Sequence, residues 1–517
     1  MAVSDADCSL SMHLLTILCF ALLFWRGELA GPWPIIGNPG VAGTWGLVLV
    51  QPFVLGFSAL AAARRAGRMA TDPCVAAQRA HVFQHRVTVG LRLALMIGFA
   101  LTVLGTPWVS WFAFGRHAPV LQIFGDVAVL SPFFVGAVAL WLGSYPYERM
   151  VRRQAIRILE DRVQADGWSV WTYLDFNVRH QLLVVAIPMS LILFAAGLVR
   201  AYEGAIVQRL GGALAPDVVL GSVAAVVFVA APLLLRRIWR TTPLPDGPLR
   251  RRLEELCRRI DLRCRDILVW KSDGYMINAA VMGVFAPVRF VLLSDALLAA
   301  MTPAQVEAVF GHEAGHVRHH HIPHFLGFAF VGWVVVIAIM ELLARRASLP
   351  NSALAGASWT VEGVGIAATI LFWGIGFGWV SRRFERQADL FGARCAAPPN
   401  GRCDWPCSVH LDEHTVRDAD RRVCASGAAV FAAALDRVAL LNGIPREERS
   451  WRHSSIANRI GFLASAAGDP KRAVAFERRV RGIKLAIWTA AAAGAVLTVG
   501  YWAAVSQPAL LRLQAGV

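Results

Sequence analysis

Residues 302–321 read TPAQVEAVFGHEAGHVRHHH, and the rest of the chain is best interpreted outward from this stretch. Thr302 is a typical helix N-cap, Pro303 suits the first helical position, and Gln305 completes a capping box with the threonine. Apolar residues then recur at helical spacing, at Val306, Val309 and Phe310. The stretch therefore predicts a helix that begins immediately after Thr302.

The centre of this helix carries an H-E-x-x-H pattern at residues 312–316. His312 and His316 lie one turn apart on the same face, where they are able to share a zinc ion. Glu313 lies beside them and could polarise a zinc-bound water molecule. The alternative is a coincidental match, since more histidines cluster just after the pattern. The pattern favours a zinc-dependent hydrolase.

The composition is that of a polytopic membrane protein. Of 517 residues, 56% are hydrophobic and 17% are charged, whereas soluble domains average about 25% charged residues. The formal charge of +16 comes with no nucleic-acid-binding motif, and the basic residues lie mainly between apolar runs. We therefore expect a lipid bilayer, and no nucleic acid, as a partner. The nine cysteines indicate reduced thiols rather than a disulfide framework.

Apolar runs that could cross a bilayer recur along the chain. They lie at 10–25, 42–62, 89–113, 120–143, 181–200, 216–235, 324–344, 359–380 and 484–505. Arginines concentrate in the loops 63–88 and 144–180, so the positive-inside rule places the N-terminus and both large polar segments in the cytoplasm. Because acidic rather than basic residues precede the first run, we interpret it as a retained anchor and not as a signal peptide.

This pattern predicts five regions. They are a membrane region at 1–236 with about six spans, a first catalytic part at 237–322, a membrane hairpin at 323–380, a second catalytic part at 381–483, and a C-terminal span with a tail at 484–517. The expected location is the bacterial inner membrane, with the catalytic domain in the cytoplasm. The oligomeric state is not indicated by the sequence.

The first polar segment predicts a small antiparallel sheet directly before the histidine-bearing helix. A proline-rich linker at 243–248 leads to an arginine-rich helix at 249–260. Strands are predicted at 266–271, 276–281 and 289–293, and Ser294 and Asp295 start a helix. The edge of such a sheet can bind an extended peptide by strand addition.

A catalytic zinc ion normally has three protein ligands, so one ligand is still missing. The best candidate follows the eighth apolar run, where Glu385 and Asp389 lie four residues apart on one helix face. Glu385 could bind the zinc ion while Asp389 accepts a hydrogen bond from a ligand histidine. The alternative is a solvated helix with carboxylate–arginine pairs, because three arginines lie close by, at Arg382, Arg383 and Arg386.

In combination, these motifs resemble the integral-membrane zinc metallopeptidases that include the HtpX-like proteases and the CAAX prenyl proteases. The resemblance rests on residues 278–280 (NAA), 289–297 (RFVLLSDAL), 312–316 (HEAGH), 385–389 (ERQAD) and 453–460 (HSSIANRI). It implies a gluzincin fold, in which one Zn²⁺ ion is held by His312, His316 and Glu385. Glu313 would then be the general base.

The resemblance also implies roles for residues that spacing alone does not identify. His453 and Arg459 would stabilise the oxyanion or brace the site. The substrate would bind along Asn278, Ala279 and Ala280. Two positions depart from the family pattern, since Ser454 stands where a proline is usual and Ala280 where an aromatic residue is common.

A second group of possible metal ligands lies between the apolar runs, at Cys403, Cys407, His410 and His414. Its spacing is unusual for a structural zinc site, and the alternative is a flexible loop with incidental thiols.

The predicted fold is a polytopic α-helical membrane protein with a cytoplasm-facing α+β zincin (gluzincin) catalytic domain. The predicted function is zinc-dependent endoproteolysis of peptide or membrane-protein substrates, in quality control. Two alternatives stay open: a CAAX-type protease that acts on lipid-modified peptides, and a non-hydrolytic sensor or scaffold with a degenerate protease domain.

Overall fold

The computed structural model describes residues 11–28, 39–70, 75–113, 119–158, 169–210, 212, 215–274, 276–347, 364–365, 367–369, 371–397, 422–442, 444–448 and 450–514. The chain divides into two compact units. The first comprises Met1–Asp246, Arg263–Met301 and Val438–Pro445, and the second comprises Gly247–Leu262, Thr302–Arg437 and Arg446–Val517.

Long helices make up most of the described part of the first unit. They are α1 (Met12–Glu28), α2 (Gly40–Met69), α3 (Val75–Gly105), the short α4 (Trp108–Trp111), α5 (Pro119–Ile158), α6 (Val170–Asn177), α7 (Val184–Ala201), α8 (Glu203–Leu210) and α9 (Ala215–Ile238), with a π-helical stretch at Val178–Leu183. Helices α1 to α7 share an apolar core, which includes the fully buried Leu15, Leu95, Phe99 and Phe133. Other apolar side chains point outward, such as Phe57, which is 69% exposed. Outward apolar side chains are expected of helices that face lipid.

Seven helices in the described part of the chain are long and apolar enough to cross a membrane. They lie at Gly40–Met69, Arg79–Gly105, Leu121–Arg153, Val170–Ala201, Ala215–Ile238, His321–Arg346 and Pro470–Gly500. The chain is therefore an integral membrane protein, as its composition predicts. The first predicted run forms a shorter apolar helix, Met12–Leu23, and the run at 359–380 lies partly outside the described residues.

The first unit also contains a four-stranded sheet with the strand order β1-β2-β4-β3. The strands are β1 (Thr241–Pro243), β2 (Asp266–Trp270), β3 (Ala279–Met282) and β4 (Phe290–Ser294). Every residue of β4 is buried, which explains the run of four apolar residues with which it begins. Ser294 then caps the short helix α11 (Asp295–Ala300) by accepting a hydrogen bond from the backbone N–H of Leu297.

The prediction of three strands is confirmed, but the prediction of an antiparallel sheet is wrong for one pair. Strand β4 lies between β2 and β3, and it pairs with β2 in parallel. Residues 241–243, which end at the first residue of the predicted linker, form strand β1 at the edge of the sheet, antiparallel to β2. An edge position tolerates Pro243, because its missing N–H is not needed for pairing there.

The second unit is helical in its described part. Its helices are α10 (Pro248–Arg259), α12 (Pro303–Arg318), α13 (His321–Ala347), α14 (Gly378–Cys395), α15 (Ala425–Leu441), α16 (Ile456–Gly468) and α17 (Pro470–Gln514), with a π-helical stretch at Phe372–Phe377. The predicted start of α12 is confirmed. The Thr302 side chain accepts a hydrogen bond from the backbone N–H of Gln305, and the Gln305 side chain accepts one from the backbone N–H of Thr302.

Candidate metal centre

Helices α12 and α14 carry the predicted ligands, and they pack closely against each other through glycines. A Cβ atom on Gly311 would lie only 2.5 Å from the Cβ of Cys395, and Gly315 faces α14 one turn later. From the other side, a Cβ atom on Gly392 would lie 2.9 Å from the carbonyl oxygen of Ala308. Since no side chain separates the two backbones at these points, the ligand-bearing faces come within reach of one another.

We expect Gly392→Ala to destabilise the protein by about 1–3 kcal/mol, because its Cβ meets backbone that has no room to move. The matched control is Gly461→Ala on α16, where a Cβ has nothing within 4 Å. That change should raise stability by up to about 1 kcal/mol through helix propensity. Thermal unfolding of both purified variants measures the difference. Equal melting temperatures of the two variants would show that α12 and α14 tolerate a wider separation at Gly392.

The three predicted zinc ligands converge on one point. Nε2 of His312 lies 3.4 Å from Nε2 of His316 and 3.5 Å from Oε2 of Glu385. Nε2 of His316 lies 3.6 Å from Oε1 of Glu385. A tetrahedral zinc ion with bonds of about 2.0–2.2 Å separates its ligand atoms by about 3.3–3.6 Å. The donor set and its spacing therefore fit a catalytic zinc ion with a fourth position left open.

Asp389 lies behind the first ligand. Its Oδ1 is 3.0 Å from Nδ1 of His312, the ring nitrogen that faces away from the other ligands. On its other side, Asp389 accepts hydrogen bonds from Arg459, at 2.9 Å between Nε and Oδ2 and also from Nη2. Both partners of this ion pair are 0% exposed. Asp389 thus lies between the His312 ring and the charge of Arg459, at the position that the predicted orienting role would require.

His453 contacts the third ligand. Its Nδ1 lies 2.9 Å from Oε2 of Glu385, and its segment is tied to α14 because Arg382 donates a hydrogen bond to the Trp451 carbonyl at 2.6 Å. The next residue, Ser454, has a φ of +66°. Proline cannot adopt that angle. The backbone at residue 454 is therefore compatible with serine but not with the proline that is usual in the family pattern. Of the two predicted roles for His453, this position favours bracing.

Burial and the two carboxylates of the site determine the protonation of its histidines. Burial would lower the pKa of His312, but the carboxylates of Asp389 and Glu385 raise it to about 9. Burial lowers the pKa of His316 to about 4. Burial would raise the pKa of Glu385, but His453 and His316 hold it well below its usual value. Without a metal ion, the site near neutral pH therefore holds an ionised Glu385, a neutral His316 and a protonated His312, so a metal ion that binds there must displace the His312 proton.

One of the histidines that follow the H-E-x-x-H pattern, His321, contacts a predicted zinc ligand. His321 is fully buried, and its Nδ1 lies 2.9 Å from Nδ1 of His316. Its Nε2 lies 3.0 Å from Oε1 of Gln387, and the same oxygen accepts a hydrogen bond from Lys484 at 2.8 Å. Sequence reasoning missed these three residues.

Glu313 is 7% exposed and adjoins His312 on α12. Asn278 and strand β3, which include the predicted substrate-binding residues, belong to the first unit. Strand β3 lies at one end of the described sheet and pairs with β4. Just before β3, the backbone N–H of Asn278 donates to the side-chain oxygen of Ser294, and the backbone N–H of Ser294 donates to the carbonyl of Asn278. Substrate binding along this strand stays a prediction, as do the roles of Ala279 and Ala280.

The second predicted group of metal ligands lies outside the described residues, since Cys403, Cys407, His410 and His414 all fall within 398–421. Cys395 and Cys424, which flank that segment, are both buried.

Comparison with known proteins points to one family. Residues 243–427 match the model of Peptidase family M48. The chain is 26% identical over 201 residues to the CAAX prenyl protease 1 homolog of Arabidopsis thaliana, and this match covers 37% of the chain and 46% of the relative. The chain thus spans about half the length of this curated relative. The crystal structure of S. mikatae Ste24p superposes with a TM-score of 0.36 and 14% identity, over 82% of this chain and 97% of that one.

Proposed function

Because residues 243–427 form a domain of peptidase family M48, we propose that this chain is a zinc-dependent endopeptidase of membrane or membrane-associated proteins. The observation that supports the proposal most is the convergence of His312, His316 and Glu385 at separations that suit tetrahedral zinc. The fourth position would then be open to substrate and water, as catalysis requires.

Each group at the site has a part in peptide hydrolysis. Zinc, when bound, supplies a Lewis acid that polarises the scissile carbonyl and makes water more acidic. Glu313 takes the proton of the attacking water and passes it to the leaving amine. Asp389 holds the His312 ring in the orientation that directs Nε2 at the ion. His453 holds the carboxylate of Glu385 through the contact of its Nδ1 with Oε2.

We propose that the substrates are membrane proteins cleaved in quality control, and that the site faces the cytoplasm. The distribution of arginines between the loops supports this orientation. The bacterial inner membrane stays the predicted location. A second candidate function is cleavage of lipid-modified peptides, which the similarity to a CAAX prenyl protease homolog favours. Cleavage assays with a lipidated peptide and its unlipidated counterpart separate the two, since only a CAAX-type enzyme should require the lipid.

The third ligand provides the sharpest test of the proposed function. Wild-type protein purified in detergent should retain about one zinc ion per chain, and Glu385→Ala should lose most of it on dialysis, because two histidines leave the ion incompletely held. Exposed Glu447 offers a matched control, and Glu447→Ala should retain zinc. Unchanged zinc in Glu385→Ala would remove Glu385 from the site. Wild-type protein that neither binds zinc nor cleaves a membrane substrate would overturn the proposed function and favour a sensor or scaffold.

A further inference from the structure

A row of hydrogen bonds leads from one zinc ligand into the membrane helices. It runs from Nδ1 of His316 to Nδ1 of His321, at 2.9 Å, and from Nε2 of His321 to Oε1 of Gln387, at 3.0 Å. It ends at Lys484, whose amino group donates to the same Gln387 oxygen at 2.8 Å. His321 begins α13, Gln387 lies on α14, and Lys484 lies on α17. Four helices are thereby linked by three side chains that the catalytic mechanism does not use.

The contact between His316 and His321 can be made in two ways. Two facing Nδ1 atoms share one proton, so one ring donates and the other accepts. If His316 donates, its Nε2 has a free lone pair directed at His312 and Glu385, where the metal binds. If His321 donates, neutral His316 must carry its proton on Nε2, and it cannot bind the metal. The tautomer of His321 therefore decides whether His316 is a ligand.

Gln387 and Lys484 determine that tautomer. Lys484 donates to the amide oxygen of Gln387 and, at 2.7 Å, to the carbonyl of His319. Turning the amide over would direct its NH₂ group at the Lys484 amino group, donor against donor. With the oxygen held in place, Nε2 of His321 must donate to it, and Nδ1 of His321 is left as an acceptor. The ring itself is fixed by stacking on Phe384, at 4.4 Å between centroids and 6° between planes.

We propose that His321, Gln387 and Lys484 are positioning residues that hold His316 in the tautomer that binds zinc through Nε2. This inference rests on the proposed function. A metal-ligating histidine usually donates its second N–H to a carboxylate, a carbonyl or water, and His312 follows that rule with Asp389. His316 instead faces a second imidazole, which needs its own fixed partner. An ionisable residue inside a membrane span usually has a function, and Lys484 lies within the span Pro470–Gly500.

The experiment measures zinc affinity of the purified full-length protein by competition with a chelator, with the melting temperature of the zinc-free form as a check on folding. His321→Phe keeps the stacked ring but accepts no hydrogen bond, and it should weaken zinc binding by about 10–100-fold. His324→Phe is the matched control on the same helix. The His324 ring bonds to the carbonyl of His320 and not to a zinc ligand, so its zinc affinity should equal that of the wild type.

A second pair keeps the test decisive if His321→Phe does not fold. Gln387→Glu retains an acceptor for both donors and should bind zinc about as tightly as wild type, whereas Gln387→Leu should bind it about 10–100-fold more weakly. Wild-type affinity in Gln387→Leu, or equal weakening in both Gln387 variants, would overturn the proposal while leaving the proposed function intact. If wild-type protein itself binds no zinc, the proposed function fails first.

Discussion

Glu313→Gln is expected to retain zinc and to lose peptide cleavage, with kcat falling by about 10²–10⁴-fold. The amide has the shape of the carboxylate, so the buried surroundings of residue 313 and the neighbouring ligand His312 should be undisturbed. The amide cannot take a proton from water at neutral pH, and the transfer to the leaving amine is lost with it. Because Glu313 is not among the three converging ligands, the zinc content should stay that of the wild type.

The measurement pairs zinc content with kcat on a membrane-protein substrate in detergent or liposomes. Glu307→Gln is a matched control, because Glu307 lies on the same helix and forms an ion pair with Arg252 outside the site. That variant should cleave at the wild-type rate. A Glu313→Gln enzyme that retains both zinc and near-normal kcat would show that another group acts as the base.

Features set by neighbouring residues could be predicted from the sequence. The start of α12 follows from Thr302, Pro303 and Gln305, which lie within four positions of one another. The pairing of Glu385 with Asp389 on one helix face also follows from spacing alone, and the structure places both beside His312. The contacts that determine the start of α12 lie within that helix. The contacts of Glu385 and Asp389 join two helices, each of which carries a recognisable metal-binding motif.

Features that depend on distant residues could not be predicted in this way. Strands β2, β3 and β4 are visible as apolar runs, but nothing in the runs indicates that β4 inserts between β2 and β3. The role of the glycines in α12 and α14 could not be predicted either, because it depends on the close contact between the two helices. The partner of Arg459 lies 70 residues away, at Asp389.

His321 was within reach of the sequence. The chain breaks between α12 and α13 at His320, which adopts a φ of +55°, so His321 starts a new helix instead of ending the old one. Pro323, two residues later, is a recognised marker of a helix start. If a new helix is assigned from His321, the three histidines at 319–321 span the junction between two helices, where a side chain can be buried.

Arg459→Met is expected to destabilise the protein by about 3–5 kcal/mol, because it leaves the carboxylate of Asp389 buried without its counter-charge. Both side chains of the pair are 0% exposed, so water cannot replace the lost partner. The double variant Arg459→Met/Asp389→Leu removes both charges and should recover part of the lost stability. Its zinc affinity should nevertheless be about 10–100-fold weaker than that of the wild type, since His312 loses the carboxylate beside its Nδ1.

Thermal and chemical unfolding of the zinc-free variants, together with their zinc affinities, separates the two predicted roles of Arg459. As a brace, Arg459 acts through Asp389, so Arg459→Met should lower stability, and the double variant should differ from the sum of the single changes. As an oxyanion-stabilising group, it would lower kcat while the melting temperature stayed constant. Arg459→Lys sharpens the distinction, because lysine keeps the charge but cannot reproduce the paired hydrogen bonds from Nε and Nη2. A brace predicts a clear loss of stability in Arg459→Lys, and wild-type melting of both Arg459 variants would exclude it.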